Sequence, residues 1–236
     1  MAAIDKNLQA VRGRISQAAQ AAGRDPATVR LLAVSKTHPP AAIEAAHAAG
    51  QRAFGENYVQ EALDKMDALR LPGLEWHMIG PLQSNKTRPV AERFDWVHTV
   101  DREKVARRLS QARPAGMAPL NVLVQVNVSG EDTKSGVPTR EAADLARAVA
   151  GMPGLSLRGL MAIPEPTDDL AVQRARFAEV RACFEALRAQ GLPIDTLSMG
   201  MTHDMESAIA EGATLVRIGT AIFGARAPRA VPAAAA

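Results

Sequence analysis

Aromatic side chains make up only 3% of this 236-residue chain, so its core has to be built from Ala, Leu, Val, Ile and Met. The same scarcity leaves little to stack on bases, and the formal charge is only +3, with basic and acidic residues interleaved. That is the pattern of a solvated surface and not of a nucleic-acid stripe. A single cysteine, Cys183, excludes an internal disulfide and a cysteine-based metal site. It sits in the stripe Phe177, Val180, Cys183, Phe184 and Leu187, whose helical spacing reads as core and not as a nucleophile. No apolar run approaches the ~18–20 residues of a membrane span. No spacing of His, Asp or Glu compels a metal, so none is expected. No Gly-x-Ser-x-Gly elbow exposes a serine nucleophile. At the amino terminus, Ile4, Leu8, Val11 and Ile15 recur at helical spacing with charges between them, which is an amphipathic helix and not a signal peptide. Without such a signal the sequon Asn127-Val128-Ser129 carries no weight. The expectation is a cytoplasmic protein with no membrane or nucleic-acid partner.

What is present is an alternation of short apolar runs with amphipathic helices. Strands are expected at about 29–35, 52–55, 75–79, 96–100, 121–128, 155–161, 195–198 and 214–218. Helices are expected at about 3–22, 40–49, 58–70, 84–92, 102–112 (capped by Asp101), 139–150, 168–190 and 204–211. Strands alternating with helices at this spacing argue for a parallel sheet, and eight such units in about 200 residues argue for a (β/α)8 barrel. A doubly wound open sheet is the alternative, but it usually needs fewer strands. The expected organisation is one barrel over 1–226, with an Ala/Pro tail at 227–236 read as disordered.

In a barrel, chemistry gathers at the carboxyl ends of the strands, and phosphate sites favour the loops after the seventh and eighth. Those loops read Ser198-Met199-Gly200-Met201-Thr202-His203-Asp204 and Gly219-Thr220-Ala221-Ile222-Phe223-Gly224. Both offer small residues, hydroxyls (Ser198, Thr202, Thr220) and backbone N–H groups at a helix start, which is what a phosphate monoester needs. Lys36 ends the first strand. Alone it reads as a solvated strand end. Because the eighth strand closes on the first, however, Lys36 faces the phosphate loops, and a half-buried amine suits Schiff-base chemistry. Two ligands fit that pairing, a sugar phosphate and pyridoxal 5′-phosphate (PLP). Arg217, a cation buried by position, favours PLP, whose ring nitrogen takes an Asp or Arg partner. The stretch Gly80-Pro81-Leu82-Gln83-Ser84-Asn85-Lys86-Thr87 is close to a nucleotide P-loop, but Asn85 stands where glycine is required and Pro81 removes an amide. Nucleotide binding is rejected there. His77 and His98 lie inside strand segments and read as hydrogen-bonded core or rim residues.

Several long blocks resemble one family, the pyridoxal phosphate homeostasis proteins (YggS/PROSC-like PLP-binding proteins). They are Leu32-Ala33-Val34-Ser35-Lys36, Phe54-Gly55-Glu56-Asn57-Tyr58-Val59-Gln60-Glu61, Trp76-His77-Met78-Ile79-Gly80-Pro81-Leu82-Gln83-Ser84-Asn85-Lys86, Leu160-Met161-Ala162-Ile163-Pro164, and the two phosphate loops with Arg217-Ile218. The resemblance covers nearly the whole chain. It implies the barrel of fold-type III PLP enzymes such as alanine racemase, with Lys36 carrying PLP as a Schiff base. By the same resemblance Ser198, Gly200, Met201, Thr202, Gly219 and Thr220 hold the phosphate, Arg217 lies near the ring nitrogen, and Asn57 and His77 line the pocket. Such proteins bind PLP and help keep its pool in balance, as carrier or reservoir without turnover, with apo PLP-dependent enzymes as partners. Monomer is expected because the site needs no partner chain. The alternative is a minimal PLP-dependent racemase or another Schiff-base enzyme. The chain departs from the family pattern at Thr202, where serine is common, and at His38, where many relatives carry a second lysine. A further departure is Ala227-Pro228, where an aromatic residue is frequent. Lys134 matches a family lysine and is a candidate secondary contact.

Overall fold

The computed structural model describes residues 2–128 and 135–225. Lys134, the tail at 227–236 and part of the polar loop after the fifth strand lie outside the described residues. The chain opens with α1 (Ala2–Ala21) and then alternates: β1 (Arg30–Val34), α2 (Pro40–Ala48), β2 (Ala53–Glu56), α3 (Val59–Ala68), β3 (Glu75–Met78) and α4 (Thr87–Arg93). It continues through β4 (Trp96–Val100), α5 (Glu103–Ala112), β5 (Leu120–Asn127), the two-residue β6 (Val137–Pro138) and α6 (Thr139–Ala150). The last third is β7 (Leu155–Ala162), α7 (Leu170–Ala189), β8 (Thr196–Ser198), α8 (Met205–Ala210), β9 (Leu215–Ile218) and α9 (Thr220–Phe223).

Every pairing is parallel, and the order β4-β3-β2-β1-β9-β8-β7-β5 closes through a β4–β5 pairing into a ring of eight strands. This is the (β/α)8 barrel that the alternation implied. β6 is an addition the sequence pattern did not reveal, pairing beside the end of β5 (Val126 with Val137) outside the ring. One local expectation needs correction. Asp101 does not cap α5; the helix starts a residue later, its cap position is Arg102, and no side chain caps it. Asp101 pairs instead with Arg102 Nη1 at 3.8 Å.

Alternation along the strands divides the core in two. Outward residues such as Phe54, Trp76, Met78 and Val97 pack under the helices with Leu8, Val11, Ile15, Phe177, Val180 and Phe184 in one continuous cluster. Each fully buried aliphatic side chain there stabilises the fold by about 1.5–3 kcal/mol. Inward residues form smaller clusters: Leu32, Val34, Ala53, Ile79 and Leu215 on one side, and Trp96, Leu123 and Met161 on the other. Between them the interior is polar, with His77, His98, Ser198 and Arg217 all buried. α1 buttresses the carboxyl end from outside the barrel. Arg14 Nη2 donates to the Thr202 carbonyl at 3.2 Å, and Asn7 Nδ2 donates to the Ile222 carbonyl at 2.9 Å.

Candidate cofactor pocket

Lys36 leaves β1 through a tightly tied turn. Ser35, buried, donates its hydroxyl to Glu56 Oε1 at 2.6 Å. Lys65 Nζ from α3 donates to the Ser35 carbonyl (2.8 Å), to Glu56 Oε1 (2.7 Å) and to Glu61 Oε1 (2.7 Å). Glu61 Oε1 in turn accepts the Thr37 N–H at 2.5 Å, and Thr37 takes the left-handed conformation, φ 65°. Both neighbours of Lys36 are therefore pinned to one knot of charges, and the strained Thr37 turn ends the strand direction sharply there. Burial raises the Glu56 carboxyl above its ordinary value, against the charge and hydrogen bond of Lys65.

The half-buried Lys36 opens on a cavity of about 210 Å³ at the carboxyl end of the barrel. Val34, Ile79, Ile163 and Met201 give it apolar lining; Asn57, Thr202, His203 and the Gly219-Thr220 turn give it polar lining; Arg217 completes it. A larger groove, about 410 Å³, opens at the opposite mouth among Arg12, Arg30, Arg52 and Glu75. It lies at the amino ends of the strands, whereas barrel chemistry gathers at the carboxyl ends, where the lysine is. Two glycines shape the carboxyl-end pocket. A Cβ on Gly80 would fall 2.1 Å from the Asn57 carbonyl oxygen, so only glycine lets the β3 exit pack against Asn57. Gly200 has φ +96°, and a Cβ there would meet Ala208 at 2.7 Å, so the loop after β8 can turn only with glycine.

The loops after β8 and β9 present donors. Thr220 and Ala221 open α9, where a helix's first N–H groups have no intrahelical acceptor. The Met201 N–H is held by Asp204 Oδ1 at 2.6 Å. Burial raises the Asp204 carboxyl, opposed by that bond and by the Arg217 charge. Arg217 is fixed from behind: Nη1 donates to the Ser198 carbonyl and hydroxyl oxygens, both at 2.7 Å, and Nη2 donates to the Ala162 carbonyl at 2.9 Å. Burial lowers the guanidinium to about 10, partly offset by Asp204, so it is still a cation near neutrality.

The structure thus brings Lys36, Asn57, Met201, Thr202, Arg217, Gly219 and Thr220 to one cavity. Gly200 shapes the loop. It does not bring His77 or Ser198 to the cavity wall. Both are fully buried in the barrel interior, where Ser198 supports Arg217 and contacts His98 Nδ1 at 3.0 Å. His77 Nδ1 lies 2.9 Å from His98 Nε2, and His77 Nε2 lies 2.6 Å from Glu75 Oε1. The ring of His77 stacks on Trp96 with centroids 5.3 Å apart. Burial lowers both imidazoles; Glu75 opposes this for His77 against the Arg30 charge, whereas His77, Arg217 and Arg30 all add to it for His98.

Sequence reasoning missed the Glu56–Lys65–Glu61 knot, the lining by Ile163 and His203, and the partnership of the two histidines. A signal existed for the last: His77 and His98 fall inside consecutive strands, with Glu75 two residues before His77 and so on the same face. His38 packs its ring on Phe223, centroids 5.1 Å apart, and links the Lys36 turn to α9. Among the described residues no group of three His, Cys, Asp or Glu is placed to hold a metal. Among them, too, no helix is long and apolar enough to cross a membrane.

A family model described as the alanine racemase N-terminal domain matches residues 6–227. A protein of Pseudomonas aeruginosa named pyridoxal phosphate homeostasis protein is 62% identical over 226 residues, covering 96% of this chain and 97% of that protein. The protein of the same name from Escherichia coli is 56% identical over 226 residues, covering 94% and 97%. Among solved structures, PipY of Synechococcus elongatus without PLP aligns at TM-score 0.84 and 40% identity, over 94% of this chain and all (100%) of that one. PipY with PLP bound aligns at 0.82 and 38% identity, over the same 94% and 100%. An alanine racemase from Corynebacterium glutamicum, at TM-score 0.67 and 19% identity, shares the barrel fold over 93% of this chain and 61% of its own.

Proposed function

The chain belongs to the pyridoxal phosphate homeostasis protein family, built on the alanine racemase N-terminal barrel, and on that premise we propose that it binds PLP by a Schiff base on Lys36 and serves as a carrier or reservoir of the cofactor without turnover. The observation that carries the reading is the placement of Lys36 and a buried, hydrogen-bonded Arg217 on one cavity of about 210 Å³, between the loops of Thr202 and Thr220. Those residues fit the group: an amine for its aldehyde, hydroxyls and N–H groups for its phosphate, and a fixed cation for its ring nitrogen. The reading treats residues 1–226 as one cofactor-binding unit of the cytoplasm and takes all its lining groups from one chain, so it expects a monomer.

Bound here, the cofactor supplies an aldehyde and a conjugated ring. Lys36 would supply the amine for that aldehyde, a linkage that would release one water and need no oxidant or reductant. Thr202, Thr220 and the amides that open α9 would hold the phosphate, and Asn57, Val34 and Ile79 would line the rest of the site. Arg217 remains a cation near neutrality, so it would disfavour protonation of the cofactor's ring nitrogen and would weaken the ring as an electron sink. That suits holding rather than turning over, with apo PLP-dependent enzymes as recipients. The minimal racemase remains the competing reading because of His203. This exposed side chain on the same wall is, besides Lys36, a group able to move a proton.

Titration with PLP, followed by absorbance, tests the binding. A long-wavelength band is expected in the wild type and none in Lys36→Ala. Incubating the loaded protein with a panel of amino acids tests the carrier reading. Racemisation or decarboxylation beyond one equivalent, lost in His203→Ala, would replace it with the enzyme.

A further inference from the structure

The buried ionisable groups beneath the pocket form one line through the barrel. Arg217 at the carboxyl end meets the Ser198 hydroxyl at 2.7 Å, Ser198 meets His98 Nδ1 at 3.0 Å, and His98 Nε2 meets His77 Nδ1 at 2.9 Å. His77 Nε2 meets Glu75 Oε1 at 2.6 Å, and Glu75, at the amino-terminal mouth, also accepts from Arg30 Nη2 at 2.7 Å. Ser198, His77 and His98 are fully buried and Arg217 nearly so, whereas the Glu75 side chain retains 32% of its exposure and borders the groove of Arg12, Arg30 and Arg52.

We propose that Glu75 anchors a one-directional hydrogen-bond chain through His77, His98 and Ser198 that positions Arg217 in the pocket at the opposite mouth. With both imidazoles neutral, the chemistry of the ends sets the direction. A carboxylate only accepts and a guanidinium only donates. At one end, therefore, His77 Nε2 carries the hydrogen given to Glu75, which leaves a neutral His77 with a bare Nδ1. His98 Nε2–H fills that nitrogen and leaves its own Nδ1 bare for the Ser198 hydroxyl. At the other end Arg217 donates to Ser198 Oγ, so the hydroxyl hydrogen is free to point at His98. The two constraints meet with no conflict, and each histidine has one tautomer. The surrounding charges agree. Arg30 and Arg217 flank the imidazoles at the two ends and disfavour a third cation between them, while the nearby carboxyls are Glu75 itself and Asp95 beside His77, with Asp204 beyond Arg217. Nη1 and one Nη2 hydrogen are committed behind it, which leaves the Nε–H and second Nη2–H outside those bonds on a residue that lines the pocket.

That Arg217 serves a ring nitrogen rests on the PLP reading; the chain itself does not. Long-range 15N–1H NMR spectra of the cofactor-free protein, labelled at histidine and arginine, test it directly. Both rings are expected neutral and protonated at Nε2, with a scalar coupling across the His98 Nε2–H to His77 Nδ1 bond. Exchange of the Arg217 Nε–H is expected to be about tenfold faster in Glu75→Leu and His98→Leu, the cost of one lost hydrogen bond, and within about twofold of wild type in His98→Gln. Glutamine restores the direction, since its Oε1 accepts from Ser198 and its amide donates to His77. PLP affinity should follow the same order. A charged ring, an Nδ1–H tautomer, or unchanged Arg217 exchange in Glu75→Leu would overturn the proposal. If the tautomers and exchange match but the wild type binds no PLP, the cofactor reading fails and the chain stands. Should His98→Leu not fold, Glu75→Leu at the solvent-facing mouth and the wild-type spectra decide.

Discussion

Replacing Lys65 with methionine removes the cation at the centre of the knot that pins the Lys36 turn, while keeping most of the side chain's volume. The Lys65 side chain is 5% exposed and Glu56 fully buried, so the variant strips a buried carboxylate of its partner and deletes all three ammonium hydrogen bonds. Removing one partner of a buried pair costs about 3–5 kcal/mol. Glu56 has an escape: its carboxyl is already raised by burial, and without Lys65 it rises further and takes up a proton. A carboxyl whose folded value lies above its unfolded one favours the fold most at low pH and loses that advantage as pH rises through the folded value. The loss should therefore be about 3 kcal/mol at pH 7 and clearly smaller at pH 5, read from urea unfolding with an unchanged slope. The double variant Glu56→Gln/Lys65→Met should recover at least about 1 kcal/mol relative to the sum of the singles, the signature of direct coupling. In parallel, the rate of PLP attachment should fall, because Ser35 and Thr37 lose their common tether. A loss below about 1 kcal/mol at pH 7, or one equal at both pH values, would refute the assignment of the knot as a charged clamp.

Gly80→Ala places a methyl group 2.1 Å from the Asn57 carbonyl, so it should destabilise the fold by about 2 kcal/mol or more and weaken PLP binding; thermal melts and titration check both. Glu75 runs the other way from Glu56. Burial alone would raise its carboxyl, but the bond from His77 and the Arg30 charge hold it at about 2, below its ordinary 4.5. Its contribution is full above about 4.5 and lost as pH falls through about 2, so Glu75→Gln should cost roughly 1–2 kcal/mol at pH 7, discounted for solvent screening, and only a small remainder near pH 2. Guanidinium unfolding across that range, with parallel curves as the contrary result, decides. Thr202→Ala with Thr220→Val should lower affinity for PLP about tenfold or more and leave that for pyridoxal, which lacks the phosphate, nearly unchanged.

The barrel was legible because each strand is a short apolar run bounded by Gly, Pro or polar residues, and its elements fall within a few residues of their expected bounds. Two-residue β6 carries no periodicity to read. Asp101 misled because a capping residue type is common near a helix start whether or not its side chain reaches the free N–H groups. Lys36, Arg217 and the two glycine loops were legible because strand order alone makes the eighth strand a neighbour of the first, as the Leu32–Arg217 pairing shows. Ser198 was assigned to the phosphate from its place in the loop block, but it is the last residue of β8 and turns inward under Arg217. Loop motif alone does not say which face of a strand end a hydroxyl takes. The Glu56–Lys65 knot was invisible for a different reason: nine residues apart, one on a strand and one on a helix, the two have no sequence pattern that requires their contact.

Lys36 as the carrier of the cofactor is open to a direct chemical test. Borohydride reduction of the PLP-loaded protein, followed by proteolysis and mass mapping, tests it most directly. One phosphopyridoxyl group per chain is expected, on the peptide containing Lys36, and none on Lys36→Ala. A stable adduct on Lys65, Lys86 or another lysine, or an undiminished adduct on Lys36→Ala, would contradict it.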